Sequence, residues 1–419
     1  MITQTNAIDY TRKNFPSAFL DSKISHFQRI PSKIISKEFS LYMGLMSIVH
    51  QQENILGHAL TQRFEAFGMG QSIEEAQFKC LMEMLEKFSI TSTDTIKRHL
   101  VRRSMSHPHL DWSLFAPYQS LVVKQMKQDK AHYPCYHVLC EGMISGKKYT
   151  VPAECVFPRW NSQIACERHI DEYDGSGIAA SLSKNRTYAL AHGISEVLER
   201  DALMLSWRLR GWPCHIVSES LIDQKIKDYI QLKHLKVELY DVGDPHLIPV
   251  IISVLGKKDE SEVTIGSSAS FDLHQASDKA VTEALMLRDA GRYWSRRGVG
   301  DKPKLIADSY GHIAYGFEHG SQIVNWYRKQ ALLSRTISRK RKSLSKLLLG
   351  CHQVFGYEPL FIDVTEPQLK KDGYFVCRTL IPNAYRKEWR HQKPFLGGVR
   401  LLRLTKKGLG LNKKPHPFG

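Results

Sequence analysis

The pattern that most constrains this chain is written three times at helical spacing. Glu196-Val197-Leu198-Glu199-Arg200-Asp201 lies late in a segment from Thr187 to about Leu209, where Leu190, Ile194, Val197, Leu198 and Leu203 recur as on one helix face. Glu196 and Glu199 stand three apart and Arg200 four from Glu196, so three charges share a face. Ala189, two turns earlier on that face, leaves room for something to lie along the helix. The pattern returns as Ala76, Glu83, Glu86 and Lys87 among Leu81, Met82, Met84, Leu85 and Phe88, and as Ala276, Glu283 and Arg288 inside Gln275–Trp294. One such patch reads as a solvated face with an ordinary salt pair, contributing about 0.3–0.5 kcal/mol. Three of them, spaced by roughly 90–115 residues, are too far apart for a solenoid and indicate repeated subdomains around one site.

Brought together without cations, Glu83, Glu86, Glu196 and Glu199 would repel one another. An oxygen-rich cluster of this type suits Mg2+, which takes carboxylates together with phosphate oxygens and water. Lys87, Arg200 and Arg288 are then placed for phosphates, Arg being the better bidentate partner. A nucleoside triphosphate accounts for both the metal and the cations. Gly68-Met69-Gly70 and Gly175-Ser176-Gly177 let backbone approach such a ligand, although neither is a Walker A loop or a full dinucleotide fingerprint.

The net charge of +17, from 59 Lys and Arg against 42 Asp and Glu, argues for an anionic partner: nucleic acid, nucleotide or acidic peptide. The densest basic run, Arg335 to Lys346, reads as an exposed helix or linker. Eight cysteines without a Cys-x-x-Cys exclude zinc-ribbon and thioredoxin-like readings, and indicate reduced thiols in a cytoplasmic protein. No apolar run is long enough to span a membrane, and the start lacks a signal-peptide core.

At 419 residues the chain can hold two or three subdomains. Residues 1–60 read as an N-terminal segment that packs on the rest or docks to a partner, and 61–419 as the catalytic domain. Short strands over Asn54–Phe67 lead to Ser72, a good N-cap with Glu74 and Glu75 in the first turn. Residues 90–130 read as polar and helical with breaks at Pro108 and Pro117. Strands are expected at Tyr136–Leu139, Lys148–Val151 and Cys155–Pro158, with a turn at Gly146. Further strands are expected at Val237–Val242, Ile248–Leu255, Tyr357–Val364 and Tyr374–Leu380. The tail, Lys413-Lys414-Pro415-His416-Pro417-Phe418-Gly419, is expected to be extended because alternate prolines fix φ.

Taken as a set, these motifs resemble the YcaO family of ATP-dependent enzymes that activate peptide-backbone amides. The resemblance runs from about Gly68 to the end. It rests on Gly68-x-Gly70-x-Ser72-x3-Ala76-x6-Glu83-x2-Glu86-Lys87, on Ala189-x6-Glu196-x2-Glu199-Arg200-Asp201 and on Glu283-Ala284-Leu285-x2-Arg288. Asp363-Val364-Thr365, Arg378-x3-Pro382 and Leu396-Gly397-Gly398-x-Arg400 add to it. It implies a mixed α/β (α+β) YcaO fold, with pseudo-repeated helix-plus-sheet subdomains around a central ATP site. It also implies that Glu83, Glu86, Glu196 and Glu199 hold Mg2+, that Arg200 and Arg288 contact ATP phosphates, and that Ser72 and Ser181 stand near the nucleotide.

The chain departs from the family in having Lys87 for the usual Arg, Met286 for the common Gln, and about two extra residues between Gly177 and Ala189. Azoline-forming members commonly end in alternating prolines whose terminal carboxylate enters the site. Here Pro415, Pro417 and the C-terminal position of Gly419 are kept, so Gly419 is the expected catalytic carboxylate and His416 a second candidate base.

The expectation is an ATP-dependent cyclodehydratase that turns Cys, Ser or Thr of a ribosomal precursor peptide into thiazoline or oxazoline. Implied partners are an E1-like or ThiF-like leader-binding protein and, where rings are oxidised, a flavin-dependent dehydrogenase. A homo-oligomer is left open, and neither membrane nor nucleic acid is expected as a partner. The rivals are backbone thioamidation or amidine macrocyclisation within the family, a basic nucleic-acid-binding protein, and an idle scaffold.

Overall fold

The computed structural model describes residues 24–36, 41–70, 72–101, 106–116, 136–158, 176–296, 309–332, 343–388 and 394–418. In chain order the strands are β1 (Ile24–Ser36), β2 (Leu41–Glu53), β3 (Ala59–Gly70), β4 (His137–Gly142), β5 (Lys148–Pro152), β6 (Ile178–Leu182), β7 (Leu209–Arg210) and β8 (Cys214–Val217). Then come β9 (Leu235–Asp241), β10 (Val250–Lys257), β11 (Thr264–Ala269), β12 (Ala331–Leu332), β13 (Leu360–Asp363), β14 (Tyr374–Leu380) and β15 (Gly410–Leu411). The longer helices are α1 (Ile73–Thr91), α2 (Arg186–Arg208), α3 (Gln224–Leu232), α4 (Leu273–Arg296), α5 (Ser309–Glu318), α6 (Gly320–Gln330), α7 (Leu344–Phe355) and α8 (Val399–Lys406).

Each of the three motif helices follows a strand and packs on that strand's sheet. The antiparallel sheet β1-β2-β3 carries α1, and the sheet β11-β10-β9-β8-β12 carries α4. The sheet β5-β4-β13-β14-β6 carries α2. A small β15-β7 ribbon ties the C-terminal region to the end of α2.

Local chemistry explains the connections. Asn54 turns β2 into β3 by accepting from the N–H groups of Leu56 and His58 at 2.9 and 3.0 Å, with Gly57 at φ +83°. Ser72 caps α1 by accepting from the Glu75 N–H. Between β9 and β10, Asp241 Oδ1 accepts from the N–H groups of Gly243 and Val250. The apolar run of β10 is buried on both faces. Val250, Ile252 and Val254 enter the main core, while Ile251 and Leu255 join Ala276, Ala280 and Ala284 of α4 in a second core.

The structure corrects several local expectations. Ala76, Ala189 and Ala276 are fully buried, so the room expected beside Ala189 is filled by the protein itself: Ala179, Phe375 and Cys377 pack there. The small residues let helix and sheet approach closely. A Cβ on Gly68 would sit 2.1 Å from the Ala76 carbonyl oxygen and 2.4 Å from the Cys80 nitrogen. A Cβ on Gly266 would meet the Ala280 oxygen and Ala284 nitrogen of α4 at the same two distances, 2.1 and 2.4 Å. Cys155–Pro158 is no strand, because after Pro152 the chain makes a helical turn at Ala153–Val156. The helical expectation for residues 90–130 holds through Thr93–His99, after which Val101 and His109 bridge to His137 and Thr150 at a sheet margin. Residues 117–135, the basic stretch 335–342 and Gly419 lie outside the described residues.

Candidate active site

Helices α1, α2 and α4 border one cleft of about 1220 Å³. From α1 come Glu83 and Glu86, from α2 Tyr188 and His192, and from α4 Lys279 and Glu283, with Gly68, Gly70 and Ser181 completing this part of the wall. The glutamates are aimed by backbone amides as much as by their helices. Glu86 accepts from the Ala180 N–H at 3.0 Å, and Glu196 from the Gly177 N–H at 2.9 Å. Glu199 accepts from the Ser267 hydroxyl at 2.7 Å and the Ala269 N–H at 3.0 Å, while Glu283 takes the Ser267 N–H at 2.5 Å. Ser267 therefore joins carboxylates of α2 and α4. Arg200 lies 3.9 Å from both Glu196 and Glu199.

The electrostatics show that these carboxylates form one group. Burial pushes the Glu86 carboxyl well above the usual carboxylate range, and Glu196 and then Glu83 push the same way. Burial also raises Glu283, with Glu199 adding to the rise and Arg200 opposing it. Carboxylates brought by three separate helices thus share one field, and a cation placed there would relieve it.

The expected nucleotide-binding residues fall into two sets. Ser181 is buried on the cleft wall, its hydroxyl donating to the carbonyls of Leu182 and Asn185. Arg200 sits between the glutamates. Ser72 serves as the α1 cap and Lys87 pairs with Glu83 at 2.7 Å. Arg288 is buried and paired with Glu262 at 2.5 Å, its Nε finding no hydrogen-bond partner among the described residues. Lys87, Ser72, Arg200 and Arg288 are not among the residues lining the cleft, and neither are Glu196 and Glu199, which stand behind its wall beside Glu86 and Glu283.

Among the described residues, no three His, Cys, Asp or Glu side chains are gathered closely enough to grip a metal alone. That donor set suits Mg2+, which is ordinarily held by one or two carboxylates plus substrate phosphates and water, not by an all-protein cage. The sequence motifs assign no role to two residues of this site. Glu283 stands in the repeat, but the resemblance carries a role only for Arg288, five residues on. Ser267 lies in a strand, where nothing in the sequence announces which helix it will serve.

Further motif residues brace the surrounding structure. Arg400 closes on Asp201, which also accepts from the Tyr385 N–H at 2.8 Å. Asp363 accepts from both the N–H and the hydroxyl of Thr365, and Arg378 donates to the Ser176 carbonyl.

The tail docks on the core. Pro417, His416 and Phe418 are buried, and Pro415 is partly so. Arg208, buried in a pair with Glu388, donates to the carbonyls of Asn412 and Lys414. His416 Nδ1 accepts from the Phe418 N–H, leaving Nε2 to donate to the Glu388 carbonyl. Burial lowers the His416 pKa well below its usual value, and the neighbouring His312 ring, stacked at 3.9 Å, lowers it further. Phe418 makes a parallel bridge to Ile265, two residues before Ser267.

A family model described as YcaO cyclodehydratase, ATP- and Mg2+-binding, matches residues 67–385. Three solved structures share the fold. A heterocyclase in complex with substrate and cofactor has a TM-score of 0.68 at 15% identity, covering 94% of this chain and 55% of its own. This chain thus spans about half the length of that relative. A YcaO from Methanopyrus kandleri bound with AMPPCP and Mg2+ has a TM-score of 0.56 at 16% identity, covering 100% of this chain and 96% of its own. The E. coli microcin synthetase McbBCD complex has a TM-score of 0.57 at 14% identity, covering 85% and 91%. No curated protein matches the sequence.

Proposed function

Because the chain belongs to the YcaO cyclodehydratase family, which binds ATP and Mg2+, we propose that it is an ATP-dependent cyclodehydratase of ribosomal peptides, forming thiazoline or oxazoline from Cys, Ser or Thr. The observation that carries this reading is the meeting of Glu86, Glu196, Glu199 and Glu283 in one electrostatic group beside the cleft. A substrate thiol or hydroxyl adds to the preceding backbone carbonyl and gives up its proton. The resulting oxygen takes the γ-phosphoryl group of ATP, then leaves as phosphate while the amide nitrogen loses its proton, so one water equivalent departs per ring.

Glu83, Glu86, Glu196 and Glu199 would hold Mg2+, whose chemistry is to neutralise charge on the phosphoryl oxygens. Arg200, already between two glutamates, positions phosphate and balances the carboxylate charge. The docked tail supports the azoline reading over thioamidation or amidine formation, because Phe418 lies against the strand that carries Ser267. His416 has both ring nitrogens engaged, so Gly419 is the stronger candidate for the reacting end of the tail. The segment before residue 60, a leader-binding E1-like partner, a flavin-dependent dehydrogenase and a cytoplasmic setting complete the proposal.

Mass spectrometry tests it. The full chain is incubated with a Cys-, Ser- or Thr-bearing precursor, the leader-binding partner and Mg-ATP. The expected product has lost one water mass per ring, with ADP and phosphate released, and Glu199→Ala abolishes it. A gain of sulfur for oxygen would establish the thioamide rival. Salt-sensitive nucleic-acid binding indifferent to Glu83→Ala and Glu199→Ala, with no peptide product, would overturn the enzyme reading.

A further inference from the structure

After Glu388 the sequence holds no Asp or Glu, while its lysines and arginines continue to Lys414. The fold turns this imbalance outward. On α8, Arg400 and Leu401 are buried, and the opposite side presents Val399, Leu402, Arg403 and Lys406 to solvent. Val399 is 69% exposed and Leu402 45%, so two apolar side chains stand among the cations. Lys407 caps the helix end, and the chain turns through Gly408, at φ +93°, into β15, where Gly410 pairs with Arg210 of β7.

The charge continues across that ribbon. Arg210 and Lys413 are exposed. The Arg210 guanidinium lies over the Trp326 ring, 6.0 Å from its centre, and Lys414 Nζ donates to Gln322 Oε1 at 3.0 Å. Gln322 and Trp326 are one turn apart on α6, so a basic band runs from α8 over the ribbon to α6. The carboxylates around it are already committed: Asp201 and Asp244 hold Arg400, Glu388 holds Arg208, and Glu238 and Glu260 hold Arg328. Glu318, which closes α5 just before α6, is the carboxylate nearest to Gln322 along the chain. Among the described residues, Arg210, Arg403, Lys406, Lys407 and Lys413 make no ion pair. None of them lines the carboxylate cleft.

We propose that this band is a docking surface for an acidic segment of the peptide substrate, its cations meeting Asp or Glu and Val399 and Leu402 meeting apolar side chains of the same segment. The choice of a peptide rests on the peptide-modifying reading above. A nucleic acid fits less well, because the ring of Trp326 is covered by Arg210 and offers no open stacking platform, and Val399 and Leu402 offer a phosphate backbone nothing. A membrane surface fits less well too, since an eight-residue helix with two exposed apolar side chains buries little in lipid. Opposite charge raises the encounter rate and sets the register of the docked peptide. The band also begins where the C-terminal tail leaves the surface: Lys413 and Lys414 lie outside, and Phe418 reaches Ile265 within.

Fluorescence anisotropy on the full chain tests this, with a labelled synthetic peptide of Glu and Leu residues as probe. Combined Arg403→Glu, Lys406→Glu and Lys407→Glu should weaken its binding by about tenfold or more, several weak exposed pairs being lost and repulsion taking their place. Mg-ATP affinity should stay within about twofold. Lys147→Glu, Lys258→Glu and Lys371→Glu, exposed on other surfaces, change the net charge equally and should leave peptide binding unchanged. On the unmodified protein, the same peptide with Gln for Glu should bind about tenfold more weakly, which keeps the proposal testable if a variant fails to fold. Equal loss in the two triple variants would show that net charge, and not this band, attracts the peptide, and would overturn the proposal. So would indifference to Gln for Glu, or tighter binding of a single-stranded oligonucleotide or of phosphatidylserine vesicles through the same three residues. Absence of ring formation by a parent chain that binds the peptide through this band would instead overturn the cyclodehydratase reading and leave the docking surface standing.

Discussion

Glu86 is the residue on which the site's electrostatics turn. Its carboxyl is raised by burial and by Glu196, while the Ala180 N–H and the charge of Lys87 oppose the rise. Without a metal, its negative charge is a cost to the fold; with one, it is an attraction. Glu86→Gln removes the charge while keeping shape and a hydrogen-bonding head. The expected outcome is a protein at least as stable as the parent in the absence of ligand, which no longer gains stability from Mg-ATP. A ligand at a hundred times its dissociation constant adds about 2.7 kcal/mol, so the loss is easily read in a thermal melt. If Mg-ATP stabilised Glu86→Gln as fully as the parent, Glu86 would have no part in holding the metal.

At the scale of elements, the repeat is a way of packing a helix on a strand. Gly68 against α1 and Gly266 against α4 leave the same two gaps, and a methyl group at either place meets helix backbone, not a side chain that can swing aside. Gly68→Ala and Gly266→Ala should therefore each cost about 1–3 kcal/mol or more in urea unfolding, by similar amounts. Gly410→Ala, whose Cβ meets nothing nearer than 3.4 Å, should be close to neutral. Equal stability of all three variants would mean that helix and strand are not pressed together as described.

The same elements show what the sequence disclosed. Periodicity marked α1, α2 and α4 together with their glutamates, because burial of one face imposes its spacing on the chain itself. The strands of the β9–β10 hairpin were visible for a like reason. What stayed hidden depends on contacts distant along the chain. Ala189 looked like space for a ligand because nothing local says that Phe375 and Cys377 will fill it. Ser267 carries no signal for Glu199 and Glu283, and Arg288 matched a phosphate-contact position while the fold paired it with Glu262.

Across the whole molecule, the C-terminal tail is part of the core as well as the proposed reacting element, so the two roles must be separated by experiment. Phe418 belongs to the main core and lies edge-on to Trp207, their ring centres 6.2 Å apart, while Trp207 also donates to the Lys414 carbonyl. Removing residues 415–419 therefore takes a buried aromatic along with the terminal carboxylate. That truncation should cost about 3–5 kcal/mol and shift the Trp207 emission, so lost activity would not separate chemistry from folding. Deleting Gly419 alone is the sharper cut. Phe418 keeps its bridge to Ile265, and His416 keeps its bonds to Glu388 and to the Phe418 N–H. On the proposal that the Gly419 carboxylate takes part in the reaction, the single deletion should leave the melting temperature and Mg-ATP affinity unchanged while ring formation falls by orders of magnitude. Full ring formation by the shortened chain would reduce the tail to a structural clasp. A melting temperature as low as that of the five-residue truncation would show that the last residue belongs to the core and not to the reaction.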